Sequence, residues 1–243
     1  MGLNGTVMLV SALVCALGFL WRNPLPPDAD IVEPVRSDPR QEKMRTRGDQ
    51  LTYRDVDYDI ERVYRYDISG VVVSYRYHDD SSRLHRLAND HLNLLDVCLV
   101  WGSNAGNPAL NKLDFWNGVF TCNVQTKDRD AWQQFDMNAL SNNHLISADP
   151  SVRSRLDGLK VGDQVRLRGY LANYGAAGQP KRKSSTTRED TGNGACETLL
   201  VEDVEVLAAS FSNWRLAMYV SGLVLLASLI RHFASPHRPH RRR

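Results

Sequence analysis

Two uncharged apolar runs, one near each end, set the frame for this chain. From Leu3 to Trp21 it reads LNGTVMLVSALVCALGFLW with no charged side chain. As a helix this run is about 28 Å long, close to the roughly 30 Å hydrocarbon core of a bilayer. Trp21 and Arg22 then supply an aromatic and a charged stop suited to the interface. A cleaved signal peptide would want Lys or Arg ahead of the apolar run, and Met1–Thr6 has neither. Nor does Cys15 sit in a lipobox, because Val14 occupies a position that calls for a small residue. Residues 1–22 are therefore expected to be an uncleaved membrane anchor.

The second run, Leu216–Ile230, is LAMYVSGLVLLASLI. It falls short of the roughly 20 residues that span a bilayer. Arg215 and Arg231 can carry their charges out to the headgroups, and Trp214 and Tyr219 suit the interface. A transmembrane helix is expected over 210–232, followed by a basic tail over 233–243. Small residues recur at helical spacing in both runs: Ser11, Ala12, Cys15 and Ala16 in the first, Ala217, Ser221 and Gly222 in the second. Rows of this kind let helices approach closely in lipid.

Charge gives the frame a direction. The whole chain carries +2, but six of its 30 Lys and Arg lie beyond Asn213. The stretch from Arg22 to Asn213 keeps the other 24 against all 28 Asp and Glu, a net of −4. Nucleic-acid binders usually present a cationic domain, so this distribution argues against that class. Arg231, Arg238 and Arg241–Arg243 place the C-terminus in the cytoplasm by the positive-inside rule. Two spans return the N-terminus to the same side and put the intervening domain outside, in the periplasm of a bacterium.

Between the runs, residues 23–50 are rich in proline and charge and predict an extended tether to a β domain over 51–209. Strands are expected at Tyr64–Tyr77, with Gly70 as a bend, then at Asp96–Trp101 and Gly118–Val124. Asp130–Leu159 carries no strand signal, but Pro150 after Asp149 opens a short helix with Val152, Leu156 and Leu159 on one face. The clearest alternation, Gln164–Leu171, gives the next strand and Thr198–Leu207 the last.

The phrase LKVGDQVRLRGYL, a turn into a strand with a central glycine, resembles the fourth strand of an OB-like barrel, and VEDVEVL is similar to its closing strand. The resemblance spans roughly Tyr64–Leu207 and implies a five-stranded barrel with a helix after strand three. A small β-sandwich is the alternative. The expected fold is thus mainly β, an OB-like barrel with one short helix, flanked by two transmembrane helices.

Chemistry is sparsely signalled. The long segment Ala172–Ala195 holds Lys181, Arg182, Lys183 and Arg188 with Ser184 and Ser185, a set able to bind an anion. Ser141 and His144, with Asp90 or Asp149, contain the residue types of a nucleophilic triad, yet no glycine elbow flanks Ser141. The histidines lack ligand spacing, so no metal or cofactor is expected. Of Cys98, Cys122 and Cys196, an oxidising compartment would pair two, with Cys98 and Cys122 on successive strands.

These features point to a non-catalytic assembly or accessory subunit that presents its β domain to protein partners in a membrane complex. The alternative is an OB-like module that binds a ligand or nucleic acid through Lys181–Arg188, and a Ser/His hydrolase stands third.

Overall fold

In the computed structural model, which describes residues 3–78, 86–87, 89–187 and 196–234, the longest strand organises the sheet. β1 (Arg40–Tyr53) turns at Arg54 and Asp55 into β2 (Val56–Tyr77), and β3 (Asn93–Val100) follows. A long excursion holds β4 (Asp114–Asn117), β5 (Cys122–Gln125) and helix α2 (Arg129–Gln134). Then come β6 (Leu140–Ile146), helix α3 (Pro150–Asp157), β7 (Gln164–Ala176) and β8 (Glu197–Ala208). Helices α1 (Leu3–Leu20) and α4 (Asn213–Ala234) stand at the two ends of the chain, and both are long and apolar enough to cross a membrane.

The chain is mainly β. Six strands form one sheet in the order β1-β2-β3-β6-β8-β7, and β2 also pairs with β7. The ladder of β2, β3, β6, β8 and β7 therefore returns on itself. All its neighbours are antiparallel except β6 and β8, which run parallel. Strands β7 and β8 come very close at Gly169, where their register shifts. A Cβ there would lie 2.0 Å from the Leu200 carbonyl oxygen, which excludes any side chain without movement of the strand.

Alternation in β7 sends Val165, Leu167 and Leu171 into the main core with Ile68, Leu95, Val97, Leu99, Leu145 and Leu199. Helix α3 adds Val152 and Leu156 to it. Asp149 caps that helix by accepting from the backbone N–H of Ser151 and Val152, while Tyr77 Oη donates to the carbonyls of Leu156 and Asp157 at its far end. The β3 strand is buried along its whole length, on both faces. Its second face packs Cys98 and Val100 against Val71, Leu110, Leu113 and Phe135.

Several expectations change. Residues 23–50 are not a free tether from Leu25 onward: two 3-10 turns, Asp28–Asp30 and Glu33–Arg36, bury Ile31 and Val35 in the domain, and β1 follows. The reason is apolar: Ile31 and Val35 cover Val71, Val73 and Val100, which would otherwise face water. The strand expected at Gly118–Val124 does not join the main sheet. Its Phe120 has φ +62, which interrupts an extended run, and only Cys122–Val124 of it is strand, paired with β4 in a small hairpin. The third strand of the ring is instead β6, LSNNHLI, whose polar residues read as a loop in sequence.

The terminal helices form a unit of their own and run antiparallel. Asn4 Nδ2 donates to the Ser228 carbonyl (3.3 Å) near one end, and the tilted rings of Trp21 and Trp214 lie 4.9 Å apart at the other. Ser11 and Gly18 of one helix and Ser221 and Ser228 of the other are buried, each pair one heptad apart, while Ala12 and Ala16 are exposed. A Cβ on Gly18 would meet the Trp214 carbonyl at 2.8 Å. One on Gly222 would lie 3.8 Å from Cys15 Sγ. Gly222→Cys should therefore form a disulfide with Cys15 under mild oxidation, and Gly18→Leu should abolish that bond. Crosslinking indifferent to Gly18→Leu would contradict this packing.

Candidate functional site

The chemically richest part of the domain lies where β3 and β6 pair. Asp96 stands opposite His144 in that ladder, and His144 stands opposite Thr198 in the next. Asp96 is wholly buried. Its Oδ1 accepts from His144 Nδ1 at 2.5 Å and from Asn93 Nδ2 at 3.1 Å, and it lies 3.0 Å from His78 Nε2 at the end of β2. Its Oδ2 has no hydrogen-bond partner among the described residues. Burial alone would raise the Asp96 carboxyl. The hydrogen bond from His144 and the close approach of His78, with their charge, outweigh that and hold it well below the usual carboxylate range.

Phe120 lids this cluster. Its ring meets His144 edge-on at 5.6 Å and His78 at 6.0 Å. Above the same ring lies the guanidinium of Arg182, 3.7 Å from the centroid. The positive φ of Phe120 is a strained conformation for a bulky residue. It is held by a bond from Cys196 Sγ to the Phe120 carbonyl (3.3 Å). Asn142 Nδ2 donates to that sulfur (3.4 Å), and Asn117 and Ser74 extend the chain of bonds. Burial pushes the Cys196 thiol up, with partial relief from Asn142, so it stays a protonated, unreactive thiol.

Beside Phe120 opens a cavity of about 330 Å³. Tyr58 and Tyr174 form part of its wall, with Asp90 and Arg182 among its charged lining. Tyr174 donates to Asp90 Oδ2 at 2.6 Å, and the Asn93 N–H donates to Oδ1 at 3.2 Å. Burial, then the neighbouring Asp90 charge, pushes the Tyr174 phenol well above its ordinary value, so it remains a donor. Tyr58 Oη donates to the Asn89 carbonyl and accepts from the His91 N–H, which pins this part of the β2–β3 connection to β2.

The sequence-predicted residues are dispersed. Lys181 forms an ion pair with Glu61 at 2.6 Å, and Lys183 is exposed. Ser184 Oγ donates to the Ser185 carbonyl and accepts from the Thr198 N–H, and Ser185 Oγ donates to the Thr187 carbonyl. These bonds fold residues 181–187 back on the sheet, with a bridge between Tyr174 and Arg182. Arg182 alone of the set lines the cavity, and Arg188 lies outside the described residues. Cys98 and Cys122 are joined in a disulfide with Cα atoms 5.8 Å apart, while Cys15 and Cys196 are unpaired thiols.

The triad of Ser141 and His144 does not assemble. Ser141 accepts from Asn143 Nδ2 at 2.8 Å, His144 turns to Asp96, and Asp149 caps helix α3. Residues three apart in a strand point to opposite faces, so no local rearrangement would join them. Among the described residues no group of three or more His, Cys, Asp or Glu is arranged to hold a metal ion. Sequence reading missed the His78–Asp96–His144 cluster and the place of Phe120, because strand pairing rather than spacing brings them together. No family pattern, curated protein or solved structure matches this chain.

Because the Asp96 carboxyl ionises below its unfolded value, its bonds stabilise the fold fully above about pH 4. That contribution is lost as pH falls through the folded value. Asp96→Asn should flatten the acid limb of the urea midpoint against pH and cost about 3 kcal/mol near neutrality. An acid limb unchanged in the variant would contradict this reading.

Proposed function

We propose that the chain is a membrane-anchored, non-catalytic accessory or assembly subunit, whose two terminal helices span the bilayer and whose β domain docks on protein partners. We read the domain as an OB-like barrel. Three features support that: the closed ring order, the parallel pairing of its third and fifth strands, and the single helix between its third and fourth. The anchors hold both termini in the cytoplasm and the domain outside, a placement in keeping with the Arg-rich tail and with a disulfide between Cys98 and Cys122.

One observation carries the docking reading. The excursion of residues 101–139 leaves Trp116, Trp132 and Met137 exposed at 44%, 45% and 52%. It is a built surface: the Cys98–Cys122 disulfide ties it to β3, and Phe135 packs against Phe115 at 5.8 Å and Trp132 at 6.3 Å. Exposed tryptophans on an ordered scaffold are the residues that most often anchor protein interfaces. Meanwhile the groups able to do acid–base work, Asp96 with His78 and His144, are buried and spent on each other.

Extraction of native membranes in a mild detergent should yield the chain in a stoichiometric complex. Trp132→Ser with Trp116→Ser should release it from that complex at an unchanged melting temperature. A monodisperse monomer from wild-type membranes would sink the proposal.

A further inference from the structure

The cavity beside Phe120 is lined by a guanidinium with no ion-pair partner among the described residues. The Arg182 side chain makes no hydrogen bond or ion pair among the described residues, and the Phe120 ring lies against its guanidinium. Its Nη1 is buried with no acceptor. An unpaired guanidinium N–H out of water costs free energy until an acceptor arrives, and a carboxylate or phosphate fits its planar fork. No described residue supplies one. The Asp90 carboxylate on the same cavity is engaged by Tyr174 and the Asn93 N–H. Lys181, next in sequence, is already neutralised by Glu61.

The remaining wall is aromatic, from Tyr58, Phe120 and Tyr174. At about 330 Å³ the space belongs with small-molecule sites rather than single-ion sites. Asp90 further selects among anions: one negative charge can sit on Arg182, while a dianion would also face the Asp90 carboxylate.

We propose that this cavity is a binding site for a small monocarboxylate with a flat apolar body, its acid on Arg182 and its body among the three rings. The site stands independently of the assembly reading, since it uses none of the residues of the 101–139 excursion except Phe120.

The test is a titration of the detergent-solubilised full chain with phenylacetate, followed by saturation-transfer NMR, with 2-phenylethanol and inorganic phosphate as comparison probes. Saturable phenylacetate binding is expected, at least tenfold tighter than 2-phenylethanol, with phosphate failing to compete. Arg182→Gln should weaken phenylacetate at least tenfold while the melting temperature holds. Should that variant not fold, Asp90→Asn serves instead, and it should let phosphate compete. Phenylacetate that binds no better than 2-phenylethanol would overturn the proposal. So would equal binding to Arg182→Gln, or phosphate that competes on equal terms with the wild type.

Discussion

Everything chemical in the domain depends on β2 pairing with both β3 and β7. The pairing of Tyr58–Val71 with Gln164–Ala176 closes the ladder, and it brings Tyr58 opposite Ala176 and Ile60 opposite Tyr174. Without that ladder, Tyr174 and Arg182 would lie on one edge of an open sheet and Tyr58 on another. Closure also removes two exposed edges, leaving β1 as the outer strand. Its charged sequence, RQEKMRTRGDQLTY, suits an edge that must not pair with other chains. Backbone geometry at Gly169 lets β7 lie close against β8, and the core side chains of β7 stabilise the ring.

Within that frame, polar groups are buried in an unusual place. Strand β6 carries Ser141, Asn142, Asn143 and His144, all buried, at the centre of the sheet rather than at its edge. Each finds a partner: Asn143 with Ser141, Asn142 with Asn117 and Cys196, His144 with Asp96. A network of this kind specifies one register, because a slip by one residue would leave several buried groups unsatisfied at once. The Cys98–Cys122 bridge then fastens the excursion that supplies Phe120, and Phe120 links the network to Arg182 and the cavity.

The parts legible in the sequence were those with a strong local signal. Apolar character on every face announced the terminal helices, although α4 extends beyond Leu216–Ile230 to Asn213–Ala234. Alternation announced β7, and the Asp149–Pro150 pair announced helix α3. What stayed hidden had a reason. Strand β6 looks like a loop because its residues favour turns in isolation, and only cross-strand partners make it extended. Strand β1 shows no apolar face because it lies at the edge. The cluster of His78, Asp96 and His144 unites residues from three strands, so no spacing rule could flag it. Arg182 was visible in a basic loop, but its place on the cavity wall was not, since the bridge to Tyr174 puts it there.

Closure of the ring is the claim on which the cavity, the buried network and the OB-like reading all rest. Hydrogen exchange of the full chain in detergent tests it most directly, through the backbone amides of β2 and β7. The account predicts that the amides joining Tyr58–Val71 to Gln164–Ala176 fall together in the slowest-exchanging class, in step with those joining β7 to β8. Exchange of these β2–β7 amides at the rate of an open edge strand, with the β7–β8 amides still protected, would contradict it.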